Sequence, residues 1–77
     1  MFEYEIVERK DGIIYYKIWD ICDKNAYAIC YVNTKTHDYG FSDEGTLYRS
    51  WAGHMFRRIR EFIETGIYEE NGMIAVF

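Results

Sequence analysis

Few residues of this chain have side chains that could perform catalysis. Ser50 and His54 are four positions apart in a stretch with helical periodicity, so both lie on the same side of that helix. A serine nucleophile needs a base within hydrogen-bond reach, a third group that orients the base, and a concave pocket. The solvent-facing side of one helix supplies neither of the last two. His37 lies in a predicted turn, so we expect the protein not to be an enzyme.

The cysteines and histidines lack the spacing of a metal site. No Cys/His spacing matches a zinc site, and the acidic stretch from Asp38 to Glu44 lacks the ligand spacing of a calcium loop. Cys22 and Cys30 are predicted on opposite faces of a sheet, which excludes a disulfide between them. We therefore expect no metal, no other cofactor and a reducing, cytoplasmic location.

The composition and charge limit the classes of partner. The chain has 77 residues with eight Tyr, five Phe and two Trp, and its net charge is −4. An acidic protein is poorly suited to a partner that is mostly phosphate backbone, because phosphates are neutralised by clustered Lys and Arg. The charge is compatible with a basic protein partner. The acidic N-terminus is not a signal peptide, and no stretch is apolar enough to span a membrane, so we expect a soluble protein with no membrane partner.

One amphipathic helix, predicted from Thr46 to Gly66, is the element around which the others are arranged. Its apolar side chains recur with helical spacing and form one stripe: Tyr48, Trp51, Ala52, Met55, Phe56, Ile59, Phe62 and Ile63. Gly66 suits the left-handed position after a helix, and Ile67 is expected to contact Phe62 as in a Schellman cap.

Two tight turns are predicted to connect the first three strands. Asp11-Gly12 predicts a two-residue hairpin turn, which places Ile6 opposite Lys17. Lys24-Asn25 predicts the next turn. The second strand, from Ile13 to Ile21, is apolar on both sides, so these turns alone decide which side faces the helix.

With these turns, the smaller side chains of the third strand, Ala28 and Cys30, face the helix together with Tyr15 and Trp19 of the second strand, and Tyr16, Tyr27 and Tyr31 face outward. A fourth strand is predicted from Asp38 to Phe41, and a short last strand from Met73 to Phe77, whose pairing partner stays open. The predicted fold is α+β, a two-layer, antiparallel meander sheet of four to five strands (β-β-β-β-α-β) with one amphipathic helix packed on one face. Residues 1–77 are expected to form a single domain.

The sheet surface opposite the helix is the first candidate for partner binding. An exposed patch of Tyr and Ile usually marks an interaction site, and Tyr is favoured at interfaces. The predicted partner-binding residues are Glu3, Glu5, Ile14, Tyr16, Ile18, Asp20, Tyr27, Ile29 and Tyr31. If the C-terminal segment covers this side, or if a turn is misplaced, these residues are core instead.

The outer side of the helix is the second candidate surface. Its residues are Arg49, Gly53, His54, Arg57 and Glu61. Arginines 57, 58 and 60 could contact nucleic acid together with the sheet tyrosines, although arginine–glutamate pairs four positions apart are typical of a solvated helix face.

The function that we expect is protein binding without chemistry, by a small acidic adaptor or inhibitor. Inhibitors made by phages and other mobile elements, such as anti-CRISPR and other anti-defence proteins that act on nucleic-acid-handling complexes, include proteins of this size and charge. The alternatives are a nucleic-acid-binding domain and a structural protein that forms a homodimer through the sheet.

Overall fold

Five strands and one helix follow one another in the predicted order. The computed structural model describes residues 1–47 and 49–75, with the side chains of all of these except Arg49 and Ser50. The elements are β1 (Phe2–Lys10), β2 (Ile13–Asp20), β3 (Asp23–Asn33), β4 (Tyr39–Asp43), α1 (Arg49–Thr65) and β5 (Asn71–Ile74). The predicted helix residue Tyr48 and the last two residues of the predicted final strand lie outside the described residues.

The strands form one antiparallel sheet in the order β4-β3-β2-β1-β5, and α1 packs on one of its faces. This arrangement confirms the predicted two-layer α+β meander. The final strand, whose partner the sequence left open, pairs with the first half of β1, from Phe2 opposite Ile74 to Glu5 opposite Asn71.

The β1–β2 hairpin contains the predicted turn and, in addition, a bulge. Asp11 and Gly12 have φ angles of 55° and 80°, as a type I′ turn requires, and Lys10 lies opposite Ile13. The register then shifts between Ile6 and Glu8, so that Val7 is an extra residue in β1. The predicted pairing of Ile6 with Lys17 is therefore wrong, and Ile6 lies opposite Tyr16.

The second turn lies earlier in the chain than predicted. Asp20 is paired with Asp23, and the Asp20 carboxylate accepts a hydrogen bond of 2.9 Å from the backbone N–H of Cys22. The chain therefore reverses at residues 21–22, and the predicted turn at Lys24-Asn25 is wrong. A further register shift follows, after which Ile18 lies opposite Ala28.

These shifts turn β2 over relative to the predicted arrangement. Ile14, Tyr16 and Ile18 share a face with Ala28 and Cys30, and all of them are buried beneath α1. Their predicted exposure is wrong, because moving the register by an odd number of residues exchanges the two faces of a strand. Asp20, also predicted on the outer face, is the last residue of β2, and its carboxylate accepts the Cys22 hydrogen bond that stabilises the turn.

The helix buries most of the predicted stripe, but Trp51 is exposed, with 37% of its surface accessible. Ala52, Met55, Ile59 and Phe62 are buried in the core, and Phe56 and Ile63 pack against it. Trp51 lies at the edge, with its ring centroid 5.2 Å from that of Phe2.

The cap at the C-terminal end of α1 is simpler than predicted. The N–H of Gly66, whose φ is 75°, donates to the carbonyl of Phe62 at 2.8 Å. The N–H of Ile67 donates instead to the hydroxyl of Thr65 at 3.2 Å, and the Ile67 side chain is exposed. These bonds are those of a single αL cap, so the predicted Schellman cap is wrong.

Candidate interaction surface

The sheet face opposite α1, called the outer face below, carries a central strip of aromatic and apolar side chains. In residues 1–47 and 49–75, no helix or strand packs over this outer face. From β2 and β3 the strip contains Ile13, Tyr15, Lys17, Trp19, Tyr27, Ile29 and Tyr31, all of them half-buried. Of the predicted partner-binding residues, Glu3, Glu5, Tyr27, Ile29 and Tyr31 lie on the outer face.

The strip contains two aromatic pairs. Trp19 lies opposite Tyr27, and Tyr15 lies opposite Tyr31. Because each pair is four residues from the other along its strand, the two pairs are about 14 Å apart. Between them Lys17 lies opposite Ile29. Sequence reasoning did not predict the β2 residues of the strip on this face. Both sides of β2 carry large apolar side chains, which indicated that either side could be the exposed one.

Carboxylates lie along the β4 side of the strip. The hydroxyl of Tyr31 donates to Asp38 at 3.2 Å, and that of Tyr27 donates to Asp43 at 3.5 Å. Desolvation and the hydrogen bond to Asp38 both raise the pKa of Tyr31. Gly40 leaves room for the Tyr31 ring, since a Cβ there would approach the ring to 3.3 Å.

Carboxylates also lie along the β1 side. Glu3 is opposite Trp19, Glu5 is opposite Lys17, and beyond the bulge Glu8 is opposite Tyr15. The Lys17 ammonium lies 5.2 Å from the centroid of the Tyr27 ring, a cation–π distance.

The depression beside Lys17 is too small for a typical ligand site. It is lined by Glu5, Lys17, Trp19 and Lys24 and has a volume of about 210 Å³. Pockets for small molecules usually measure roughly 300–1,000 Å³. A second depression, towards β5 and lined among others by Glu3, Trp19 and Met73, has a volume of about 330 Å³, at the lower end of that range.

The outer side of α1 is charged instead of aromatic. Gly53, Arg57 and Glu61 are exposed and His54 is half-buried, whereas the side chain of Arg49 lies outside the described residues. A Cβ at Gly53 would meet no atom within 4 Å. The helix arginines and the outer tyrosines belong to opposite layers, so a single nucleic-acid strand would not contact both.

Arg58 and Arg60 of the helix contact other side chains in addition to solvent. Arg58 pairs with Glu61 at 3.5 Å, and Arg60 donates a hydrogen bond of 3.2 Å to the hydroxyl of Tyr39. Glu61 thus pairs with the arginine three positions before it.

A buried tyrosine network, which sequence reasoning also missed, ties the segment after α1 to the sheet. Tyr16 donates to the backbone carbonyl of Glu69 at 2.7 Å, and Tyr4 donates to the Glu69 carboxylate at 2.9 Å. Arg58 donates to the Tyr4 hydroxyl at 3.4 Å. Burial raises the pKa of Tyr16 well above its ordinary value and raises that of Tyr4 as well. The network satisfies polar groups in the core, and Arg58 and Glu69 also line a depression of about 200 Å³ between the end of α1 and the segment that follows it.

The residues considered for chemistry lie apart from the outer strip. His37 is exposed in the β3–β4 loop, and His54 is on α1. Cys22 and Cys30 are both free thiols; Cys22 is exposed, and burial raises the pKa of Cys30 to about 12. The side chain of Ser50 lies outside the described residues.

Within the described parts of the chain, no group of three or more His, Cys, Asp and Glu side chains could hold a metal ion. In the same parts, no helix has the length and apolar composition needed to cross a membrane. Similarity to known proteins gives no further guide, because the chain matches no protein-family model, no curated protein and no solved structure.

Proposed function

We propose that this chain is a non-enzymatic protein-binding module, an adaptor or inhibitor, that docks its partner through the outer face of the sheet. The observation that carries the proposal is the strip of Trp19, Tyr27, Tyr15 and Tyr31 on a face that no described helix or strand covers. Aromatic side chains of this kind supply most of the binding energy in protein interfaces.

The arrangement is favourable for binding because two aromatic side chains of the strip already have hydrogen-bond partners within the protein. Tyr27 and Tyr31 are each held by a carboxylate, and Tyr31 is seated on Gly40. A partner would therefore lose little entropy in ordering them. Five strands about 4.8 Å apart give a face about 20 Å wide. A standard interface covers about 800 Å² on each side, so the partner must reach the acidic margins as well as the strip.

Affinity capture from a lysate of the native cells tests the proposal. The immobilised protein is compared with a Trp19→Ala/Tyr31→Ala variant and with an Arg57→Ala variant on the opposite layer, after circular dichroism has shown that all three are folded. We expect at least one protein to be captured in stoichiometric amount by the unmodified and Arg57→Ala proteins and to be lost from the double variant. Retention by the double variant, or loss only with Arg57→Ala, would move the site to the helix.

Self-association through the same face is a separate outcome. Sedimentation equilibrium over a hundredfold range of protein concentration measures it directly. A monomer at all concentrations is expected, because two facing copies would bring acidic margins of the same sign together. A dimer that the Trp19→Ala/Tyr31→Ala variant abolishes would instead show the outer face to be a homodimer interface.

A further inference from the structure

Carboxylates border the aromatic strip on both sides. Glu3, Glu5 and Glu8 lie on the β1 side. Asp38 and Asp43 lie on the β4 side, where each accepts a tyrosine hydroxyl. These five carboxylates surround a strip that contains Lys17, with Lys24 in the depression beside it and Lys10 opposite Ile13 at the hairpin end. Carboxylates therefore outnumber cations on the described part of the outer face, which is acidic around an aromatic centre.

A basic protein segment is the partner that complements this combination. A guanidinium stacks on Tyr and Trp faces through its planar, weakly hydrated cation, and it pairs with carboxylates through a fork of N–H donors. Lys17 over Tyr27 shows that a ring of this strip accepts a cation in the protein itself. A phosphate backbone would instead be repelled by the two rows of carboxylates.

We infer that the outer face binds a basic, arginine-bearing segment of its partner, with guanidinium groups stacked on the aromatic pairs and directed to the flanking carboxylates. This inference rests on the function proposed above and specifies the partner's chemistry. Basic surfaces with clustered Arg are typical of proteins that handle nucleic acids. A protein with this outer face would occupy such a surface in place of the nucleic acid.

Titration of the ¹⁵N-labelled protein with a nona-arginine peptide, followed by NMR at low salt, tests this inference. Nona-glutamate is the control peptide. We expect nona-arginine to shift the Trp19 indole N–H and the amides of β2 and β3, and nona-glutamate to leave them unchanged. The affinity should fall as salt is raised, since exposed ion pairs are screened.

Two matched double variants separate a specific surface from a general effect of charge. Glu3→Gln/Glu5→Gln removes two charges from the outer face, and Glu61→Gln/Glu64→Gln removes two from α1. The outer-face variant should weaken nona-arginine binding about fivefold, from two exposed pairs. The helix variant should change it less than twofold. Trp19→Leu keeps an apolar side chain but removes the ring, and it should also weaken binding.

Equal losses in the two double variants, shifts confined to α1, or no response to nona-arginine would each overturn the inference. None of these results bears on the capture experiment, which makes no assumption about the partner's charge. If Trp19→Ala/Tyr31→Ala still lost its captured protein, the outer face would remain a docking surface for a partner of different chemistry. If it retained that protein, the outer face would not be the docking surface, and the site would move to the helix as stated above.

Discussion

The neighbouring residues Tyr15 and Tyr16 offer the sharpest test of how the sheet is arranged. Tyr16 is completely buried, and its hydroxyl donates to the Glu69 carbonyl at 2.7 Å. Tyr15 is half-buried on the outer face. Tyr15→Phe and Tyr16→Phe each remove one phenolic hydroxyl, from opposite faces of the same strand. The difference between their effects on stability therefore shows which face of β2 packs beneath α1.

The expected magnitudes follow from these surroundings. Tyr16→Phe removes one buried hydrogen bond and leaves the Glu69 carbonyl without this donor, which should lower the free energy of unfolding by about 1–2 kcal/mol. Tyr15→Phe should change it by less than about 0.5 kcal/mol. Tyr16→Ala would also remove ring contacts to Tyr4 and Phe62, with centroids at 5.8 and 5.7 Å. Its cost of about 3–5 kcal/mol is a large part of the roughly 4–11 kcal/mol available to a domain of this size.

Urea unfolding followed by circular dichroism measures both Phe variants. A loss of 1 kcal/mol corresponds to a fall in Tm of about 4–8 °C for a domain of this length, which thermal melts would detect independently. If Tyr15→Phe cost as much as Tyr16→Phe, or if Tyr16→Phe left stability unchanged, the facing of β2 described here would be refuted, and with it the composition of the outer strip.

Three other perturbations have defined outcomes. Burial raises the pKa of Tyr16 above its ordinary value near 10, so the unfolded chain releases this proton first and stability should fall as pH rises above about 10; Tyr16→Phe should make that fall shallower in urea titrations at different pH values. Cys22 is exposed, whereas burial raises the pKa of Cys30 to about 12, so a thiol reagent at pH 8 should modify Cys22 rapidly and Cys30 only after unfolding. Gly72→Ala should lower the free energy of unfolding by about 1–3 kcal/mol, because the added Cβ would approach Cζ of the buried Tyr4 ring to 2.7 Å. Gly53→Ala should raise it by up to about 1 kcal/mol, because its Cβ would meet no atom within 4 Å. Urea unfolding measures both changes.

Each of these outcomes can fail in a recognisable way. A Tyr16→Phe variant with the same alkaline decline as the unmodified protein would show that Tyr16 does not contribute to it. Rapid modification of both thiols in the folded protein would contradict the burial of Cys30. A Gly72→Ala variant as stable as the unmodified protein would mean that β5 and the ring beneath it separate at little cost.

Sequence reasoning was sufficient for those elements in which local chemistry decides the structure. The type I′ turn at Asp11-Gly12 needs two consecutive residues with positive φ, and Asp-Gly is one of the few dipeptides that adopt this conformation readily. The buried stripe of α1 follows from its helical period, and the facing of β3 follows from the contrast between Ala28 or Cys30 and the tyrosines beside them.

The facing of β2 could not be predicted because it depends on residues outside that strand. Both sides of β2 carry large apolar side chains, so its own pattern fits either orientation. The choice depends on the extra residue Val7 in β1 and on the position of the following turn. Asp20, whose carboxylate bonds to the Cys22 N–H, was the available signal for the earlier turn. The outer strip was consequently predicted with the correct β3 residues and the wrong β2 residues.

The bulge at Val7 also affects how the molecule behaves towards other copies of itself. In the described part of the chain, β5 pairs with residues 2–5 of β1, and the N–H of Ile6 donates to the carbonyl of Glu70 at 2.8 Å, whereas no described strand pairs with residues 7–10 on that side. A straight, unpaired strand edge is a template on which a second chain can add and begin an aggregate. Val7 interrupts the regular spacing of backbone N–H and C=O groups just after the part of β1 that pairs with β5. The bulge that reorients β2 therefore also makes this edge of the sheet a poorer template for the addition of a second chain.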